Sequence, residues 1–142
     1  MTNTLSSEDK LALIKYRMER SYNALKEAQI MAREGYYNAS INRLYYACYY
    51  AAVALLLTND IPTQTHNGVK TMLGQHFIAT GLLPISAGKT FAVLFNQRHS
   101  GDYDDFVYCD QEMFETFYPQ AENFVNSVSE LLERMPFEHK DN

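Results

Sequence analysis

The feature that most constrains the fold is an apolar run of 14 residues, Leu44 to Leu57, which contains four tyrosines and four alanines. A helix that spans a bilayer needs about 20 such residues, so this run is too short to cross a membrane. It belongs to a helix predicted from about Tyr37 to Thr58, in which a polar start is followed by apolar residues on every side. A helix without a polar face belongs in the middle of a bundle or at a subunit interface.

Helical periodicity and capping residues predict further helices before and after this one. The predicted N-caps are Ser6, Thr65 and Asp110, and the predicted ends lie near Gly35, Gly81, Gly101 and Pro136. The acidic stretch from Asp102 to Cys109 is expected to be a loop before the last helix. The fold class is therefore predicted as all-α, an up-and-down bundle of four to five helices. We expect one domain over residues 1–142, with a core of about residues 7–135 and a short frayed tail at 136–142.

The chain has the ordinary composition of a globular protein, with 46% hydrophobic and 20% charged residues. Its two cysteines, Cys48 and Cys109, have no CxxC spacing and no disulfide framework, which fits a reducing compartment. The stretch from Met1 to Lys10 is polar and acidic and lacks the basic start and apolar segment of an export signal. We therefore expect a cytoplasmic location.

The negative charge is concentrated in the last third of the chain. Residues 98–142 carry 11 acidic and 3 basic side chains within an overall net charge of -5. Strong non-specific nucleic-acid binding requires a basic face. RNA or nucleotide is therefore expected to bind only at a local site.

Several classes of enzyme are excluded because their motifs are absent: there is no Gly-rich phosphate loop, GxSxG, HExxH or ExxH pair. The first candidate site is the segment from Arg98 to Asp105. Arg98 can hold a phosphate, and His99, Asp102 or Tyr103 could exchange a proton near it. Alternatively, Arg98 and Asp102 form an ion pair that closes a helix end. Asp102, Asp104 and Asp105 could also bind magnesium, but acids in a loop are more often turn formers, so no metal ligands or cofactor are assigned.

Two further candidates lie earlier in the chain. Six of the 11 tyrosines fall between Tyr36 and Tyr50; they could stack on bases, although tyrosines at helical spacing in an apolar run are more often core or interface residues. Arg43 lies among them and is expected to pair with a carboxylate on a neighbouring helix. His66 follows Thr65 at a helix start, where backbone amides can face an anion, while capping alone explains the threonine.

Four segments, in order, resemble the prokaryotic group of the HEPN family, and in particular its UPF0332-like members. They are YYNASINRLYYACYYAAVALL, THNGVKTMLGQHFIATGLL, LFNQRHSGDYDDF and AENFVNSVSELL, which lie between residues 36 and 132. The resemblance as a whole extends over about residues 10–135. The resemblance implies a bundle of four to five helices that is usually a homodimer. It also implies a site near the dimer cleft.

In the complete family motif, four to six residues separate an arginine from the histidine that follows it, and the pair forms a metal-independent ribonuclease. Arg98 matches the arginine, but the fifth residue after it is Tyr103, and no histidine lies in that window. His99 is adjacent to Arg98 and would lie about 100° around a helix, so it cannot simply replace the missing group. The resemblance therefore implies a chain that is not an enzyme, or a ribonuclease with a displaced motif.

Relatives without the complete motif resemble partners of small nucleotidyltransferases in toxin–antitoxin or defence pairs, and in some pairs the transferase modifies a tyrosine near the motif. Tyr103 is the corresponding position here. The leading interpretation is a dimeric module that binds nucleotide or works with a nucleotidyltransferase, with Arg98, Asp102 and Tyr103 lining its surface. A scaffold that only binds other proteins remains the third interpretation.

Overall fold

The computed structural model describes residues 5–103 and 108–135, and within this part it leaves out the side chains of residues 99–103. The described residues form five α-helices and one short π-helical turn. The helices are α1 (Ser7–Arg33), α2 (Tyr37–Thr58), α3 (His66–Leu73), α4 (Ile85–Tyr103) and α5 (Gln111–Arg134), with the π-helical turn (Gly74–Ile78) after α3. The prediction of an all-α bundle of four to five helices is confirmed.

α1 and α2 form an antiparallel pair that is fixed by two buried serines. Ser21 donates a hydrogen bond of 2.7 Å to the carbonyl of Ala47, and Ser40 donates one of 2.7 Å to the carbonyl of Ala28. Gly35, with φ of +87°, provides the left-handed residue between the two helices. These bonds set the register in which side chains of α1 face side chains of α2.

α2 lies in the middle of the bundle and contacts α1, α3, α4 and α5. Its buried residues cover more than half of the helix circumference: Ser40, Ile41, Leu44, Tyr45, Ala47, Cys48, Ala51, Ala52, Ala54, Leu55, Leu56 and Thr58. The predicted bounds and central position of this helix are both confirmed. Its remaining face, with Tyr46, Tyr49, Tyr50, Val53 and Leu57, is only half-buried within one chain.

The predicted N-caps are present. The side-chain oxygens of Ser6, Thr65 and Asp110 accept hydrogen bonds of 3.0, 2.9 and 2.9 Å from backbone amides three residues later. Each cap satisfies one of the amides that a helix start leaves without an intrahelical partner. α5 continues through the exposed Pro119 to Arg134, close to the predicted stop at Pro136.

Two predicted helix ends are wrong. The third helix changes into a π-helical turn at Gly74 and ends at Ile78, so Gly81, with φ of +80°, lies in the link that follows. α4 continues through Tyr103 instead of ending near Gly101, because glycine lowers helix propensity without preventing a helix. The predicted tail at 136–142 lies outside the described residues. None of the described helices is long and apolar enough to cross a membrane.

Candidate anion-binding site

Four tyrosines of α2 form the floor of the candidate site, and we call Tyr45, Tyr46, Tyr49 and Tyr50 the tyrosine cluster. Neighbouring rings in the cluster have centroids 5.3 to 6.0 Å apart. Tyr45 is fully buried, whereas the other three are half-buried at the edge of the core. The prediction of core tyrosines is therefore confirmed for Tyr45, and the others present part of their rings on the surface.

Arg98 reaches the tyrosine cluster from α4. Its Nε donates a hydrogen bond of 3.1 Å to the hydroxyl of Tyr46, and its Cζ lies 5.4 Å from the centroid of that ring. The same Cζ lies 5.9 Å from the centroid of Tyr45. A guanidinium held against ring faces is already oriented, so it loses less freedom when it binds a planar or tetrahedral anion.

Arg43, on α2 itself, also approaches Tyr46, with its Cζ 4.9 Å from the ring centroid. Its Nη1 lies 3.2 Å from a carboxylate oxygen of Glu27 on α1. The predicted pairing of Arg43 with a neighbouring helix is confirmed. Two positive charges thus face one tyrosine ring, and Glu27 compensates one of them.

His66, the first residue of α3, lies in the same cluster. Its ring stacks on Tyr49 with centroids 4.4 Å apart and an interplanar angle of 27°. Its Nδ1 lies 2.8 Å from the hydroxyl of Tyr45, and its ring centroid is 5.9 Å from that of Tyr46. His66 and Arg98 are far apart in the sequence, but both contact the same two tyrosines, Tyr45 and Tyr46.

The buried hydroxyl of Tyr45 determines how His66 can act. Burial, and to a lesser degree the nearby Tyr49, raise the pKa of Tyr45 well above its usual range, with Arg98 acting against this rise. The phenol is therefore neutral and carries a proton to donate. We assign that proton to Nδ1 of His66, which places the proton of a neutral imidazole on Nε2. His66 in this form is a hydrogen-bond donor toward an anion.

Only the backbone is described for residues 99–103, the segment that follows Arg98. The backbone of His99, Asp102 and Tyr103 belongs to the last turns of α4, but their side chains lie outside the described part. Tyr103 was expected in a loop, and that expectation is wrong. Asp104 and Asp105, and with them the magnesium alternative, lie outside the described residues. In the part of the chain that is described, no three His, Cys, Asp or Glu side chains are grouped to hold a metal ion.

Two arginines of α1 were not predicted as site residues. Arg20 places its Cζ 4.9 Å from the centroid of Tyr50 and donates a hydrogen bond of 2.9 Å to that hydroxyl. Arg17 lies one turn earlier on the same face, half-buried near Tyr49. The signal in the sequence was the spacing of three residues between two arginines, which places them on one face of a helix.

The fold and the site together define a class: a five-helix protein with an arginine-rich, tyrosine-lined site on its central helix. Comparison with known families agrees, since the model of the HEPN domain matches residues 14–131. The chain belongs to the HEPN domain family. The resemblance drawn from the four sequence segments is thereby confirmed.

Relatives of similar length support the same assignment. A UPF0332 protein of Thermotoga maritima is 29% identical over 125 residues, which cover 88% of this chain and 95% of the relative. A UPF0332 protein of Gloeobacter violaceus is 32% identical over 116 residues, which cover 81% of this chain and 92% of the relative. A protein of Methanocaldococcus jannaschii that is described as a candidate toxin is 27% identical over 115 residues, covering 81% of this chain and 78% of the relative.

Proposed function

We propose that this HEPN chain is a toxin-type module that binds the phosphate of a nucleotide or of RNA on the tyrosine cluster. The observation that carries the proposal is the joint placement of Arg98 and His66 against Tyr45 and Tyr46. A guanidinium and an imidazole N–H are both donors to phosphate oxygens. The half-buried rings beside them offer faces on which a base can stack.

The relatives that are described as candidate toxins support the biological part of this proposal. A cytoplasmic location also remains a prediction from the composition of the chain.

The test is equilibrium binding of a fluorescent single-stranded octanucleotide of uridine by fluorescence anisotropy. We expect the Arg98→Gln variant to bind at least about tenfold more weakly, which corresponds to about 1.4 kcal/mol. Arg134→Gln removes the same charge from the exposed last turn of α5 and is the matched control. Equal binding by the wild type and Arg98→Gln would contradict the proposed site.

We also propose that the chain works as a homodimer. The apolar character of α2 supports a dimer, because the face of that helix with Val53 and Leu57 is only half-buried within one chain. Further support comes from the family resemblance and from exposed apolar side chains before and at the start of α4, Leu82 at 46% and Ile85 at 69% exposure. Light scattering that shows only a monomer at micromolar concentration would refute this part of the proposal.

A small nucleotidyltransferase is the proposed protein partner, supported by the resemblance to relatives without the complete motif. Tyr103 is the proposed acceptor for its nucleotide. The test incubates the chain with a purified small nucleotidyltransferase and ATP, and mass spectrometry locates any added nucleotide. We expect modification of the wild type and none of Tyr103→Phe. Modification at the same level in the variant would place the acceptor elsewhere.

The second candidate function is metal-independent cleavage of RNA, and the position of His66 is the observation that favours it. An imidazole near Arg98 could take the role that the sequence motif leaves empty, although its assigned tautomer makes Nε2 a donor and not a base. The test compares RNA cleavage in EDTA by the wild type, Arg98→Ala and His66→Ala. Cleavage that is lost in both variants would make this the leading function, and no cleavage by the wild type would exclude it.

A further inference from the structure

The face of α1 that borders the tyrosine cluster carries a second pair of arginines, Arg17 and Arg20, which the proposed phosphate site does not use. They lie on one side of α1 together with Ala24 and Glu27, at steps of three and four residues. Glu27 faces Arg43, and Arg20 faces Tyr50. This side of α1 therefore runs antiparallel to α2, along the length of the tyrosine cluster.

These two arginines have no acidic partner among the described residues. The salt bridges there join Lys10 to Asp60 and Arg43 to Glu27. Arg20 instead donates to two phenol hydroxyls, those of Tyr50 at 2.9 Å and Tyr16 at 3.4 Å. The nearest acid in sequence, Glu19, lines the groove between α1 and α5 on the other side of the helix. The positive charge of this face is thus not compensated within the described part.

Arg17 adds an independent observation, since its Nε is buried and has no hydrogen-bond acceptor among the described residues. A buried donor without an acceptor costs about 1–3 kcal/mol, and a bound anion is one of the arrangements that removes the cost. Burial raises the pKa of the Tyr49 hydroxyl, while the charges of Arg17 and Arg98 both act to lower it. Arg17 of α1 and Arg98 of α4 therefore both lie near Tyr49.

The two basic positions lie against neighbouring tyrosine rings of α2. Arg98 lies against Tyr46 and Arg20 against Tyr50, and these ring centroids are 5.8 Å apart. Successive phosphates of one nucleic-acid strand are separated by about 3.4 Å of helix rise, and by more when the strand is extended. Two guanidinium groups against neighbouring rings can each face a different phosphate of one strand.

We propose that Arg17 and Arg20 form a second phosphate subsite, so that the ligand is a single-stranded nucleic acid with at least two successive phosphates and not a mononucleotide. This inference rests on the proposed function, because the first phosphate is the one at Arg98.

The experiment measures binding of the fluorescent uridine octanucleotide by anisotropy at several salt concentrations, with uridine monophosphate and the deoxyuridine octanucleotide as unlabelled competitors. The variants are Arg98→Gln, Arg20→Gln and Arg33→Gln. Arg20 is exposed, so its substitution leaves the core intact. Arg33 is an exposed arginine on the same helix, about 20 Å further along, and is the matched control.

We expect the monophosphate to compete at least about tenfold more weakly than either octanucleotide, since it can fill only one subsite. Each phosphate contact to a single strand contributes about 0.7 to the slope of log affinity against log salt concentration. Arg20→Gln should therefore lower the slope by about 0.7 and weaken binding several-fold. Arg33→Gln should leave both quantities unchanged.

The outcomes separate this inference from the proposed function. If Arg98→Gln loses binding while Arg20→Gln keeps the affinity and slope of the wild type, the proposed function stands and the second subsite is overturned. A monophosphate that competes as well as the octanucleotide overturns the inference in the same way. If Arg20→Gln weakens binding and Arg98→Gln does not, the α1 subsite is supported and the Arg98 site fails. If the wild type binds neither probe, both are overturned.

Discussion

The hydroxyl of Tyr45, in the middle of α2, lies 2.8 Å from Nδ1 of His66, the first residue of α3. This bond ties the start of α3 to the centre of the bundle. It joins a fully buried side chain to a half-buried one, so it is shielded from water on the tyrosine side. It also fixes which nitrogen of His66 can face a ligand.

Substitution of Tyr45 by phenylalanine tests this relationship. The variant keeps the buried ring but removes the donor to Nδ1, and we expect a loss of about 1–2 kcal/mol in the free energy of unfolding. Binding of the uridine octanucleotide should also weaken, because the imidazole ring is no longer fixed. Urea unfolding and anisotropy measure the two effects. Tyr108→Phe removes a hydroxyl from a side chain that is 72% exposed and should change neither quantity.

Alkaline pH should destabilise the protein. Burial raises the pKa of the Cys48 thiol well above its usual value, so the folded chain keeps a proton that the unfolded chain releases above about pH 8.5. Stability from this group is fully present below that pH and declines as pH rises. Each such group contributes up to about 1.4 kcal/mol per pH unit.

Urea unfolding of the wild type and Cys48→Ala between pH 7.5 and 10 measures this effect. The variant loses stability at every pH because it leaves a cavity, but its decline with pH should be shallower. Parallel declines in the two proteins would show that the thiol does not titrate on unfolding. The comparison is between slopes, so the cavity does not interfere with it.

Removal of the negative charge of Glu27, the acid that pairs with Arg43, should strengthen the binding of polyanions. Glu27→Gln frees Arg43 from its ion pair, and we expect the octanucleotide to bind about two- to threefold more tightly at low salt, an effect that salt screens. The pair involves an exposed carboxylate, so stability should change by less than about 1 kcal/mol. Glu19→Gln, on the α5 side of α1, is the control with the same change in charge. Equal gains in both variants would indicate a general charge effect and not a local one.

The register between α1 and α2 should depend on Ser21. Ser21→Ala removes its bond to the carbonyl of Ala47 and should cost about 1 kcal/mol of stability, measured by urea unfolding. Because this bond holds Arg20 opposite Tyr50, nucleotide binding should weaken as well. Ser129→Ala on α5 is the control. A variant with normal stability would show that packing alone fixes the register.

Local features of the sequence predicted much of the fold. The caps at Ser6, Thr65 and Asp110 depend only on residues three positions apart, and the burial of α2 follows from the absence of a polar face. The π-helical turn was missed because its hydrogen bonds leave no clear mark on apolar spacing. The predicted end of α4 near Gly101 is too early, because the helix continues through this glycine to Tyr103.

The candidate site was only partly predictable. The chemistry of Arg98, Arg43 and His66 marks each of them separately as a candidate, but no local spacing predicts that His66 and Arg98 contact the same tyrosines. The contact of His66 with Tyr45 and Tyr46 depends on how α3 packs against α2. That packing joins residues that are far apart in the sequence. Arg17 and Arg20 were overlooked because arginines on an amphipathic helix are usually solvated.

The tyrosine cluster also gives the protein a built-in optical reporter. The chain has no tryptophan and 11 tyrosines, so all of its intrinsic emission in the near ultraviolet comes from tyrosine. Four of those rings are packed within about 6 Å of one another on α2, beneath the arginines. Excitation can pass between rings at such distances, and a ligand that quenches one of them will dim its neighbours. Occupancy of the site can therefore be followed in the unlabelled wild-type protein.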